Sequence, residues 1–251
     1  MKQQHTITLT ISLLLCLCFS LQAQEEDLTI KKDTVKLKYG LRIGTDASKL
    51  IRTALDDDYS GFELNADYRL TKDWFLAGEI GTEEKITSND YLSVTAKGSY
   101  FKAGVDYNMH NNWDGLDNMI YTGFRLGAST FSQTRNNYTI YNTDQYWQPQ
   151  FSSTETEEYS GLSAIWFELI IGIKAEVLNN LYFGINAQLK GMITQDQPVG
   201  FENLFVPGFN KTFDSGRIGV GYGYSVSYLI PLFKKNKSKT VKNEDEEKEI
   251  E

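Results

Sequence analysis

From residue 37 onward the chain is written in period two, and it holds that period through eight separate stretches. In the sixth, Ile165, Phe167, Leu169, Ile171, Ile173, Ala175 and Val177 alternate with Trp166, Glu168, Ile170, Gly172, Lys174 and Glu176. The seventh sets Leu181, Phe183, Ile185, Ala187 and Leu189 against Tyr182, Gly184, Asn186, Gln188 and Lys190. The eighth sets Ile218, Val220, Tyr222, Tyr224, Val226, Tyr228 and Ile230 against Arg217, Gly219, Gly221, Gly223, Ser225 and Ser227. Five more begin at Leu37, Phe62, Trp74, Phe101 and Ile120. Successive side chains of a strand point to opposite faces, so each stretch has one apolar face and one face of charge, amide and glycine. Several are long enough for a tilted membrane crossing.

The connections alternate in length. Thr71-Lys72-Asp73 and Asn179-Asn180 are tight turns and 110–118 is somewhat longer, while 45–60, 83–91, 132–160 and 194–215 are long and polar. Short turns on one rim and long loops on the other give the expected fold. It is an all-β, single eight-stranded antiparallel up-and-down transmembrane barrel, with long extracellular loops, short periplasmic turns and both termini on the periplasmic side. A soluble β-sandwich alternates in the same way. Two features favour the barrel. The polar face carries Gly, Asn and Ser with charges of both signs, and Tyr68, Trp74, Tyr107, Trp113, Tyr121, Tyr228 and Phe233 fall near strand ends, where aromatic girdles belong. Leu50-Ile51 and Ala54-Leu55 have helical spacing, which places a short helix in the first long loop.

Residues 1–23 read as a signal peptide: Lys2, a short apolar core around Leu13-Leu14-Leu15, and a small residue at Ala23. Residues 24–36 are then a short periplasmic segment, 37–233 the barrel, and 234–251 a charged tail too polar to bury a core. Leu15 and Leu17 precede Cys16 and Cys18, which does not suit lipidation. Both cysteines lie in the signal, so cleavage leaves no thiol for a disulfide, a nucleophile or a metal. The net charge of −8 excludes a nucleic-acid binder with a broad basic face.

Turning the polar faces inward gathers Arg42, Arg69, Lys102, Arg125, Lys174, Lys190 and Arg217 with Glu63, Asp67, Glu79, Asp106, Glu168 and Glu176. Eight strands enclose a space that side chains fill, so these charges must pair. An ion path through the same residues is the alternative. No catalytic residue, metal site or cofactor is expected. The single histidine beyond the signal, His110, sits in a periplasmic turn, and Asp56-Asp57-Asp58 lacks the spacing of a calcium loop. The third long loop carries Tyr138, Tyr141, Tyr146, Trp147 and Phe151, a candidate contact surface for an extracellular ligand or an upper girdle.

Several strings carry a resemblance. They are Asp56-Asp57-Asp58-Tyr59, Tyr68-Arg69-Leu70-Thr71-Lys72-Asp73-Trp74, Lys102-Ala103-Gly104-Val105-Asp106-Tyr107-Asn108, Tyr138-Thr139-Ile140-Tyr141-Asn142-Thr143-Asp144, Val177-Leu178-Asn179-Asn180-Leu181-Tyr182 and Val206-Pro207-Gly208-Phe209-Asn210. Together they resemble a family of uncharacterised outer-membrane barrels of Bacteroidetes-type bacteria, known as a domain of unknown function. The resemblance spans 39–233 and implies no activity, ligand or catalytic residue. The expectation is a monomer in outer-membrane lipid with a closed lumen and a structural or surface-interaction role. A narrow channel and a lipid-modifying enzyme are the alternatives.

Overall fold

The computed structural model describes residues 36–110, 117–140, 151–211 and 216–236. The expected signal peptide lies outside the described residues, as does the tail from residue 237. In chain order the elements are β1 Lys36–Asp46, α1 Ala47–Leu55, β2 Tyr59–Arg69, β3 Trp74–Ser88, β4 Leu92–Asn108, β5 Met119–Thr139, β6 Ser152–Ser153, β7 Glu157–Leu178, β8 Leu181–Gln195, β9 Phe205–Val206, β10 Asn210–Lys211 and β11 Ile218–Asn236. Strands β1, β2, β3, β4, β5, β7, β8 and β11 pair antiparallel, each with its neighbours in that order, and β11 pairs back onto β1. The ring is therefore closed. Closure removes the free edge that an apolar surround could not hydrate.

The register turns each strand's apolar set outward. On β7, Leu169, Ile171 and Ile173 are exposed while Trp166, Glu168 and Ile170 are buried between them. A one-residue slip would exchange these sets and place Glu168 outside, so burial specifies the register strongly. The exception is Tyr39, expected on the outer face with Leu41 and Ile43. A bulge between Tyr39 and Gly40 breaks the alternation there, and the Tyr39 ring is buried and stacked on Phe233 at 5.1 Å.

The lower rim carries the tight turns, the start of β1 and the end of β11. Asn180, with φ of 66°, closes the β7–β8 hairpin. The upper rim departs from expectation in two places along the strands themselves. The stretch 83–91 is not a long loop: β3 and β4 continue to a three-residue turn at Asn89-Asp90-Tyr91. Likewise β5 extends to Thr139 and β7 begins at Glu157. Alternation persists there, but with polar residues outward, so the apolar signal stops before the ladder does. At the other end β11 reaches Asn236, so the last strand takes in the first residues of the expected tail.

The first long loop holds the expected helix. Asp46 ends β1 and caps α1, accepting a hydrogen bond from the Ser48 amide at 2.8 Å.

Candidate functional site

The inward faces meet in a lumen that can be read upward from the lower rim. Lys38 bonds Glu176 at 2.7 Å, and Arg69 bonds Asp117 at 2.5 Å. Above them Arg42 pairs with Asp67 at 2.7 Å, its guanidinium 4.7 Å from the centre of the Tyr182 ring and 5.4 Å from that of Phe75. Lys174 also reaches Asp67, at 2.7 Å. Next, Arg125 joins Asp106 at 2.8 Å to Glu79 at 3.3 Å. Lys102 then sits among three carboxylates, with Glu79 at 2.7 Å, Glu63 at 3.5 Å and Glu168 at 3.7 Å. Lys190 lies 3.4 Å from Glu168 on the other side.

Neutral donors complete the layer. The Trp166 indole donates to Glu168 at 2.7 Å, the Tyr100 hydroxyl to Glu63 at 2.5 Å, and the Tyr59 hydroxyl to Glu83 at 2.6 Å. Lys49, projecting from α1, also bonds Glu83. Charges this deep persist only when compensated, and here each lies beside a side chain of opposite sign. A small cavity of about 30 Å³ remains, walled by Asp67, Glu79, Arg125 and Lys174.

Of the thirteen residues expected in the lumen, the structure places twelve in this network or its lower continuation. Arg217 is the correction. It is exposed and precedes β11, because the interior at that height is already filled by Phe209, whose ring lies over Gly219. Residues missed by the sequence reading include Lys38 and Asp117 at the lower rim and Glu83, Lys49, Tyr59, Tyr100 and Trp166 above. Trp166 shares the parity of Glu168. Glu83 follows Glu79 and Gly81 on the inward face once β3 is allowed to continue.

The largest departure from expectation is the stretch 196–211. It does not stand away from the rim but folds down into the mouth, where Phe205, Val206, Pro207, Gly208 and Phe209 are all buried. The Gly208 amide donates to Glu83 at 2.6 Å and its carbonyl accepts from Lys190 at 2.7 Å. Gly208 has φ of 82°, and a Cβ there would lie 2.6 Å from the Tyr100 ring, so only glycine fits. Gln133 binds Asn203 at 2.7 Å. Phe209 and Val206 join Tyr100, Phe131, Leu162 and Trp166 in one apolar cluster that fills the upper lumen. The apolar run Phe205-Val206-Pro207 inside a polar stretch was the available signal.

Beside this plug, between α1 and β11, a cavity of about 430 Å³ opens at the upper rim. Lys49, Arg52 and Lys85 line it with Glu83, and its apolar wall includes Phe205, Val220 and Tyr222. Arg52 stacks over Tyr59 at 4.0 Å. Asp56 ties the wall together, bonding Lys85 at 3.1 Å and Arg52 at 3.3 Å, and these bonds hold its carboxyl below the ordinary value. Near the plug's start, the Ser163 hydroxyl and amide donate to Asp196 at 2.6 and 2.9 Å and lower its pKa likewise.

In the third loop Tyr138 and Phe151 pair at 6.1 Å, and Phe151 is exposed. Tyr141, Tyr146 and Trp147 lie outside the described residues. His110 is half-buried at the lower rim, its amide bonded to the Asn108 side chain at 3.1 Å. Among the described residues, no three His, Cys, Asp or Glu side chains cluster as a metal site.

The chain belongs to the DUF6048 family. That family, a domain of unknown function, is matched over residues 6–235. Two solved barrels are similar to this member of it in shape. One is the attachment invasion locus protein Ail of Yersinia pestis, with a TM-score of 0.39 and 10% identity over 76% of this chain and 97% of its own. The other is Neisserial surface protein A, NspA, with a TM-score of 0.39 and 10% identity over 76% of this chain and 95% of its own. None of the curated proteins matches the chain.

Proposed function

We propose that this protein is a non-conducting outer-membrane barrel that offers its upper end as a binding surface. One observation carries the reading: the lumen is occupied along its length, first by paired charges and then by the inward-folded plug. Eight strands leave side chains to fill the interior, and an ion would have to displace bonded charges to pass. The apolar exterior, with Leu76, Phe124, Ile171 and Ile185 exposed, suits lipid. Residues 1–23 are proposed as the cleaved export signal, and the mature barrel as a monomer in outer-membrane lipid. His110, at the rim opposite the cavity, has no proton-transfer role in this reading.

Purified protein reconstituted in a planar bilayer tests the proposal. The expected result is a flat baseline with no unitary steps, and well-defined openings would overturn it. An epitope inserted at Gln145 should be detected on intact cells, and one placed after Lys239 only after permeabilisation.

A further inference from the structure

The barrel wall is not equally complete at all heights. β1 stops at Asp46, which pairs with Ser225 of β11. Above that level β11 continues through 218–224, paired only with β8 on its far side. β2 likewise continues above Leu64, paired only with β3. Among the described residues no strand lies between these two edges, because the chain has turned into α1. The Asp46 carboxylate supplies one further bond, accepting from the Tyr224 amide at 3.3 Å. Beyond it the wall is a helix laid over a gap, and the cavity of about 430 Å³ lies in that gap.

The surroundings of the gap are apolar on the outside and cationic within. Ile218, Val220 and Tyr222 are the outward residues of β11 here, at 66%, 73% and 68% exposure. On α1, Ile51 and Leu55 are also exposed, at 55% and 81%. In lipid these side chains continue the apolar belt up to the cavity's entrance. Inside, Lys49, Arg52 and Lys85 stand against Glu83 alone among the lining acids. The volume falls in the range of small-molecule sites, which combine an apolar wall with a few placed polar groups.

We propose that this lateral cavity binds the head and upper chain of an anionic amphiphile drawn from the surrounding leaflet. The carboxylate or phosphate lies against Arg52 and Lys85, which already bond a carboxylate at Asp56 and keep free donors for a second. The chain leaves between Val220, Tyr222 and the apolar side of α1. Lys49 stays with Glu83 and the plug, so a ligand would also touch the element that closes the lumen.

The inference rests on the membrane reading above, and the two fail differently: an inserted barrel shifts on heating in a gel whether or not the cavity is occupied. The test uses full-length mature protein in phosphatidylcholine nanodiscs with palmitate carrying a diazirine on its upper chain, close to the carboxylate. After irradiation, the label should concentrate in the peptides that hold Leu204, Phe205, Val220 and Tyr222 rather than around Ile171 on the opposite belt. Val220→Trp, which fills the entrance from an exposed position, should lower that label about tenfold, as should Arg52→Gln with Lys85→Gln, a loss typical of removed charge-assisted bonds. Dodecyl phosphate should compete, whereas inorganic phosphate should not. Label spread evenly over the belt, or unchanged in Val220→Trp, would overturn the site. Equal labelling by the diazirine of palmityl alcohol, or competition by inorganic phosphate alone, would overturn the anionic amphiphile.

Discussion

Lys102 is the most demanding position in the lumen. It is 2% exposed and has three carboxylates within 3.7 Å, of which Glu63 and Glu168 are buried and Glu79 is 12% exposed. Lys102→Met keeps the length and apolar stem but removes the only charge shared by Glu79, Glu63 and Glu168. Breaking a buried pair by deleting one partner costs about 3–5 kcal/mol, because the remaining charge is left without compensation. The same substitution at Lys97 is the internal reference. That side chain is 68% exposed and pairs with Glu84 at 3.0 Å, so its loss should cost about 0–1 kcal/mol. Both are read from urea unfolding of protein folded in lipid vesicles, using midpoint and slope. A double variant sharpens the result. Adding Glu168→Gln to Lys102→Met relieves one uncompensated charge and should restore at least about 1 kcal/mol, a coupling typical of residues in one network. If Lys102→Met instead falls within about 1 kcal/mol of Lys97→Met, water must reach the triad, and the closed, ion-paired lumen is wrong.

Three further outcomes follow from the register and the rim. Ile171→Arg puts a cation on the lipid face and should cost about 2–4 kcal/mol of folding stability, whereas Gln188→Glu, facing the lumen, should cost less; equal tolerance would contradict the register. Asp46→Ala removes the α1 cap and should cost about 0.5–2 kcal/mol, with hydrogen exchange accelerating in 47–55; unaltered exchange there would show that the cap is idle. Asp56 has its carboxyl lowered by Lys85 and Arg52 from the ordinary 3.8, so its contribution is complete above that value and fades as the pH falls through the lowered one. Protection of 47–58 should therefore drop on acidification below about pH 4 in the wild type, and Asp56→Asn should be unprotected at every pH; matching pH profiles would remove the staple from the account.

The strand register was legible because period two is unforgiving: an inward Glu168 forces Ile171 outward through the whole of β7. The lumen charges came from the same parity, and Arg217 failed because parity says nothing about which rung is already filled. The upper rim was opaque for a different reason. Whether a loop turns outward or inward depends on tertiary contacts such as Gly208 to Glu83 and Gln133 to Asn203, between residues far apart in sequence. Composition marks 194–215 as polar, and the short apolar run within it decides where it goes.

The change of core along the barrel has one physical cause. β5 and β7 are 21 and 22 residues long, about twice what a tilted crossing of the hydrocarbon requires. Along the apolar belt, which the proposed function places in lipid, Phe124, Leu126, Leu169 and Ile171 face outward, and the interior holds Arg125 and Glu168. Further up, the outward residues become Thr130, Ser132 and Ser163, while Phe131, Leu162 and Ala164 turn inward. The parity is unchanged but its chemistry is inverted, as the proposed passage from lipid into water requires. A two-faced sheet in water needs an apolar filling, and opposing strand faces alone leave the centre open. The plug residues Val206 and Phe209 supply the missing side of that core. The loop is thus the price of extending the barrel beyond the membrane, and closure of the lumen comes with it.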